Sequence, residues 1–416
     1  MLSCFAFAFM YLLGGWVLNF LSVESDGVRD VQFFIIVLIS IVYSVLLFAE
    51  YQQKYGIILI GAFLLRFLSW YLDLYTEFPH PFSGDDTERF WHGATVMCQG
   101  GWDSSVPGGI YSQLLGMFMN ISYPEREYMQ FSNVLLSSFV PIVVLRSLNL
   151  FEIDEKYKKA ALILISFAPV SWLLGGVLLR EAWIQLFVAL GIFFFLRYCT
   201  HDKTSFIVCS IAFCLLASLL HAGIIVVVAV IVLYMLRGRS KMMILIIFML
   251  LALVLYCYPD IFLRKFAAVE DPNEYFATIN YDNGAIGSRY LSNIEINSGW
   301  GVLFYGPLKL IYFMFSPFVW DISNVSLLFL FIGDSLLYFA GFAVLFYHRA
   351  VWWKNLRLRF LVFICGLTFF VFGLGTVATG TATRHRNKLF PTMIIVSTVT
   401  AAYGIMQKKT TNAGRT

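Results

Sequence analysis

The chain has 416 residues, 60% of them hydrophobic and only 13% charged, with a mean hydropathy of +0.78. That balance excludes a soluble globular protein of this length. The formal charge of +4 marks no nucleic-acid partner, because in so apolar a chain most Lys and Arg report topology.

Apolar runs of about 17–25 residues recur along the whole chain, the length needed to cross a bilayer as a helix. They lack period-2 alternation, which favours helices over a closed barrel. The first run, 5–21, follows no basic segment and lacks a small-residue cleavage site, so it is predicted to be a retained span. Further spans are predicted at roughly 31–48, 55–72, 128–145, 160–179, 182–196, 205–220, 222–236, 242–258, 325–347, 360–377 and 389–406, about 12 in all. The 42 phenylalanines read as lipid-facing bulk. Seven cysteines show no CxxC spacing and suit small core positions; a Cys98–Cys257 bridge would require both to face an oxidising compartment.

The connecting segments alternate in charge. One set carries Lys54; Arg146, Lys156, Lys158 and Lys159; Arg197 and Lys203; Arg237, Arg239 and Lys241; Arg349, Lys354, Arg357 and Arg359; and Lys408, Lys409 and Arg415. The positive-inside rule makes that set cytoplasmic. The other set opens with Glu24, Asp26 and Asp30, so both termini are predicted inside. The expected fold is therefore all-α, a single transmembrane domain over 1–416 with outer loops at 73–127 and 259–324. Within the second loop, 302–320 is apolar but interrupted by Pro307, Lys309 and Pro317, and reads as a re-entrant or interfacial element. Alternatively it spans, and one of the short runs at 205–236 does not.

Charge and topology disagree at Thr383-Arg384-His385-Arg386-Asn387-Lys388, which the alternation places outside. A bound phosphate or diphosphate would account for that basic density, with Arg able to bind it bidentately; the alternatives are contact with lipid headgroups only, or one span more or fewer than counted. Arg180-Glu181 falls at a tight outer turn, where a charged pair lines a cavity or simply pairs with itself. Arg66 and Asp334 lie inside spans and either serve a site or pair with each other. In the first outer loop, Asp85, Asp86, Glu88 and Arg89 cluster before an aromatic helix-like segment. One carboxylate there could take a proton from a hydroxyl while its neighbour orients the acceptor or holds a divalent cation; Asp85 could equally cap the helix. His80, His92, His221 and His385 show no zinc-ligand spacing, and no phosphate-binding loop or serine-hydrolase elbow is present. Asn120 and Asn324 head sequons of a kind frequent by chance.

Four segments in order resemble the GT-C superfamily of integral membrane glycosyltransferases, in particular family-39-like proteins of bacterial envelope polysaccharide clusters. They are Ser83-Gly-Asp-Asp86, Leu178-Leu-Arg-Glu181, Phe313-Met-Phe-Ser-Pro-Phe-Val-Trp320 and Ala382-Thr-Arg-His-Arg-Asn-Lys-Leu-Phe-Pro391. The adjacent Asp pair departs from the usual separated one, and no large soluble domain follows the last span. Size, Phe content and two large outer loops are also similar to Wzy-type O-antigen or capsule polymerases, for which Arg180, Arg264 and Arg289 would matter. Either resemblance implies a polyprenyl-(di)phosphate-linked donor, an acceptor glycan and a bacterial inner membrane. It implies Asp85 or Asp86 as base, Arg384, Arg386, Lys388 and Arg180 on the donor phosphate, and Glu88, Arg89 and Arg289 near the glycan. No cofactor is implied with certainty, and a divalent cation is possible. Segment 259–300 reads as a lid. The competing classes are a transporter or flippase using Arg66, Arg180 and Asp334, and an acyltransferase using His221 or His385.

Overall fold

The computed structural model describes residues 2–22, 28–101, 106–236, 249, 290–291, 299–376 and 378–413. Most of the predicted lid, the predicted span 242–258, and Cys257, Arg264 and Arg289 lie outside these residues. The elements are α1 (Leu2–Ser22), α2 (Val28–Tyr75), α3 (Asp85–Gly100), α4 (Ile110–Ile121), α5 (Arg126–Leu148), α6 (Glu155–Phe167), α7 (Pro169–Gly176), α8 (Glu181–His201), α9 (Thr204–Leu220) and α10 (Ile225–Leu236). They continue with α11 (Gly299–Phe315), α12 (Val325–Tyr347), α13 (Arg349–Lys354), α14 (Leu356–Leu374), α15 (Thr379–Asn387) and α16 (Phe390–Ala413). No strand occurs among the described residues. Seven helices are long and apolar enough to cross a membrane, or eight if the bent pair α6–α7 is one span. The chain is thus an all-α polytopic membrane protein.

Two predicted spans fall within α2. Gln52 has φ of 52°, outside the helical region, at the polar stretch Glu50–Lys54. There the helix folds back: Phe33 stacks near Trp70 at 6.5 Å, and Tyr43 meets Phe63 edge-on at 5.1 Å. A straight helix of that length would be about 70 Å long, twice the hydrocarbon thickness, so the reversal is what fits it to a bilayer.

The chain forms two compact units, Met1–Val143 with Leu162–Leu186, and Val144–Ala161 with Phe187–Thr416. In the first, Phe7, Tyr11, Tyr43, Phe63, Trp70, Tyr128 and Phe131 are buried and interlock through their rings. On α1, Phe5, Phe9, Trp16 and Phe20 are more than 60% exposed, a stripe that water would penalise and lipid tails do not.

Pro169 breaks the predicted span 160–179 into α6 and α7, bent by 48°. The freed carbonyl of Ser166 accepts from Arg66 Nη1 at 3.3 Å, which also donates to Ala62 O at 2.7 Å. Buried Arg66 therefore caps the C-terminal end of α6, where carbonyls lack helical donors and the dipole favours a cation. It does not pair with Asp334.

In the second unit α14 packs against α10, α11 and α16. Arg357, at its start, donates to Thr200 near the end of α8, and Lys408 of α16 donates to Tyr347 at the end of α12. Arg357 and Arg359 of the predicted cytoplasmic set thus lie at the Leu356 end of α14, Arg359 donating to Trp353 O. Phe372, about 22 Å along the helix from Arg357, contacts His221 and His385.

Candidate functional site

In the first unit, the acidic cluster opens α3. Gly84 is the N-cap, and its φ of 157° lies in the region that favours glycine. Thr87 Oγ1 donates to Gly84 O at 2.7 Å and accepts from Gly84 N at 3.2 Å. Asp85 is therefore inside the first turn and not the cap. Asp85 and Asp86 are exposed there, beside the positive end of the helix dipole. Glu88 makes a bidentate ion pair with Arg126 of α5, at 2.6 and 2.8 Å, tying the two helices together. Arg89 is exposed.

The approach to α3 is pinned by His80. Its Nδ1 accepts from Phe82 N at 3.3 Å, while Nε2 lies 3.0 Å from Ser69 Oγ. The Ser69 hydroxyl proton is already given to Leu173 O at 3.0 Å, so His80 must donate from Nε2 and is neutral. Burial lowers its pKa below the ordinary imidazole value, and the nearby Asp73 carboxylate opposes that shift.

Between α7 and α8, residues 177–180 leave the helix. Two amides of α5 satisfy the freed carbonyls. Gln130 Nε2 donates to Gly176 O at 2.8 Å and to Asp73 Oδ2 at 2.7 Å. Asn133 Nδ2 donates to Val177 O at 2.7 Å and Leu179 O at 2.8 Å, and its Oδ1 accepts from Trp183 Nε1 at 2.9 Å. This turn carries Arg180 to within 5.7 Å of the Phe90 ring of α3, and puts buried Glu181 at the start of α8. Tyr111 is buried nearby; burial pushes its hydroxyl pKa up, and the hydrogen bond from Asn133 opposes that shift.

In the second unit the basic segment is built into the fold by Arg386. Its side chain is fully buried, with Nη1 on Phe313 O at 2.5 Å and Nη2 on Ser316 O at 2.7 Å and Thr383 Oγ1 at 3.0 Å. Nη2 also forms a close ion pair with Asp334 Oδ2. A π turn at Phe331–Ser335 carries Asp334, and Ser335 donates to the same Ser316 carbonyl at 2.8 Å. Tyr338 donates to Arg386 O at 2.6 Å. Around this anchor, His385 and Arg384 are half-buried and Lys388 is buried. His385 Nε2 lies 3.2 Å from Nε2 of His221, at the break between α9 and α10, and its Nδ1 lies 3.4 Å from Lys388 Nζ.

The structure therefore groups Arg180 with the α3 carboxylates in one unit, and Arg384, Arg386 and Lys388 in the other. Asn324 serves as the N-cap of α12, accepting from Leu327 N at 2.9 Å. Cys98 is a free thiol hydrogen-bonded to Asn120. Among the described residues no cluster could hold a metal ion through three or more His, Cys, Asp or Glu ligands. The sequence reading overlooked Gln130 and Asn133, although Gln130, Asn133, Ser137 and Ser138 recur at helical spacing along one face of an apolar span, a legible polar stripe. The His221–His385 pairing is 164 residues apart in sequence and left no local signal. Compared with known proteins, the chain matches no family model, no curated protein and no solved structure.

Proposed function

We propose that this chain is a membrane-embedded glycosyltransferase that moves a sugar or glycan repeat unit from a polyprenyl-(di)phosphate carrier to an acceptor glycan. It would act on the outer side of a bacterial inner membrane during cell-surface polysaccharide assembly, in the manner of a GT-C enzyme or a Wzy-type polymerase. The supporting observation is the anchored basic segment 384–388, whose His385 meets Phe372 about 22 Å along α14 from Arg357. A cation cluster built into an apolar unit at that end has an electrostatic use, and a lipid-linked phosphate matches it in charge and location.

Arg386 is spent on Asp334 and backbone carbonyls. Its part in the proposal is to position α15, and the phosphate contacts fall to Arg384 and Lys388. These would stabilise the charge that grows as the carrier phosphate leaves. Exposed Asp85 or Asp86 would accept the proton of the acceptor hydroxyl. Arg180, Glu88 and Arg89 would meet the glycan or the donor from the α3 side.

The test is transfer from membranes carrying lipid-linked donor. Arg384→Ala with Lys388→Met should lower product by at least about 100-fold while the protein remains inserted, in line with the loss of an oxyanion contact. Undiminished product from that double variant would remove the phosphate-clamp reading. A flippase is the second reading, and the span broken at Pro169 favours it, since broken helices line transport paths.

A further inference from the structure

One side of α14 carries a cation at its end and open apolar surface below it. Arg359, Phe363, Leu367 and Val371 recur at every fourth residue, so they share one side of the helix. Phe363, Leu367 and Val371 are all exposed. Gly366 lies on the same side, and a Cβ built there would meet nothing within 4 Å. The stripe thus has a notch at its middle. From Arg359 to Val371 it runs about 18 Å, close to the roughly 15 Å of one leaflet's hydrocarbon.

The Arg359 end is fixed by α13. Arg359 Nε donates to Trp353 O at 2.8 Å, Nη2 donates to the same carbonyl, and the guanidinium lies 5.0 Å from the centre of the Trp353 ring. Trp353 is 54% exposed and meets Phe363 edge-on at 6.4 Å, so the indole joins the cation to the apolar stripe. Buried Val351 and the bond from Trp352 Nε1 to Leu345 O, at 2.8 Å, hold α13 against the helices. With Nε and one Nη2 proton engaged, Nη1 and the second Nη2 proton form a parallel pair of donors suited to two oxygens of one phosphate.

The charges around this end have one sign. Arg349 and Lys354 lie on α13, and no Asp or Glu follows Asp334 in the sequence. Arg359 makes no ion pair among the described residues. The positive end of the α14 dipole does not favour a cation either, so the partner these charges require is an anion. Bulk lipid satisfies an apolar stripe alone. An oriented guanidinium at its end selects a negatively charged headgroup, since choline and ethanolamine bring a cation that Arg349 and Lys354 oppose.

We propose that this side of α14 seats one acidic phospholipid, with its phosphate on Arg359 beside the Trp353 indole. An acyl chain runs along Phe363, Leu367 and Val371 and crosses Gly366. The seat is independent of the transfer reading above.

The experiment uses the full chain in nanodiscs of phosphatidylcholine doped with phosphatidylglycerol. Native mass spectrometry counts the lipid kept after release into mild detergent. The wild-type chain should keep one phosphatidylglycerol, preferred over phosphatidylcholine by about tenfold, the scale of one charge-assisted contact. Arg359→Gln should remove that preference. Gly366→Leu, which alters no charge and fills only the notch, should lower phosphatidylglycerol retention by about the same factor. Lys54→Gln, an equal loss of charge in the first unit, should leave retention unchanged, and so should Arg384→Ala with Lys388→Met. No preference in the wild-type chain overturns the proposal. An equal loss in either control overturns it too, because the attraction would then be diffuse. Displacement by excess inorganic phosphate would make the ligand a free anion and overturns the lipid. Retention undisturbed by Gly366→Leu overturns the path along α14.

Discussion

Asp334 and Arg386 form a buried ion pair. The pair is dehydrated, and the arginine is additionally held by two carbonyls and a threonine. Removing one partner leaves the other charge buried alone, which costs about 3–5 kcal/mol. Asp334→Ala should therefore lower the thermal midpoint sharply in detergent, while Asp334→Asn, which keeps one acceptor, should lower it less. Equal stability of both variants and the parent would contradict this role. At His80 the prediction concerns pH. The folded pKa is lowered and the unfolded value is about 6.5, so the unfolded chain binds a proton that the folded one refuses. Stability from this residue is complete above about 6.5 and is lost as pH falls below it. His80→Gln should remove that acid limb from a stability profile of the α3 segment, followed by hydrogen exchange at residues 76–90.

The elements with the most consequence are those that leave regular helix. The 177–180 turn exists because Gln130 and Asn133 replace the lost helical donors, and because Gly175 and Gly176 let α7 approach α2 and α5 closely. A Cβ at Gly176 would stand 2.6 Å from Trp70 N and 2.4 Å from Ser69 Oγ. Gly176→Ala should thus force α7 away from α2, and Asn133→Leu should strand two carbonyls at about 1–3 kcal/mol each. Both variants should raise protease sensitivity at the turn more than elsewhere; unchanged sensitivity would show that the amide contacts do not hold it. Existence and rough position of the long apolar helices were legible in the sequence, because apolar length is a strong local signal; of the 12 spans expected, seven or eight described helices meet the length and composition needed. The Gln52 reversal was legible as a polar gap between two runs. What could not be read were contacts set by three-dimensional closure: Arg66 capping α6 100 residues away, Asp334 meeting Arg386, and His221 meeting His385. Each joins side chains whose own neighbourhoods in sequence give no hint of the partner.

Across the whole molecule, the account is a membrane protein carrying exposed carboxylates at α3 in one unit and an anchored basic segment in the other. The sequence marked both groups, since charge is conspicuous among so many apolar residues; it could not show that Arg386 anchors the basic one. The central claim is that a lipid-linked glycan donor is consumed. It is tested most directly by mass spectrometry of polyprenyl-linked species in membranes lacking the protein and in membranes carrying the Arg384→Ala, Lys388→Met variant. Sidedness should be read by access of an impermeant periodate probe. The account predicts that both accumulate the same carrier-linked sugar or repeat unit, exposed on the outer leaflet. Accumulation confined to the inner leaflet would contradict it and make the chain a flippase; no accumulation would contradict a lipid-linked donor altogether.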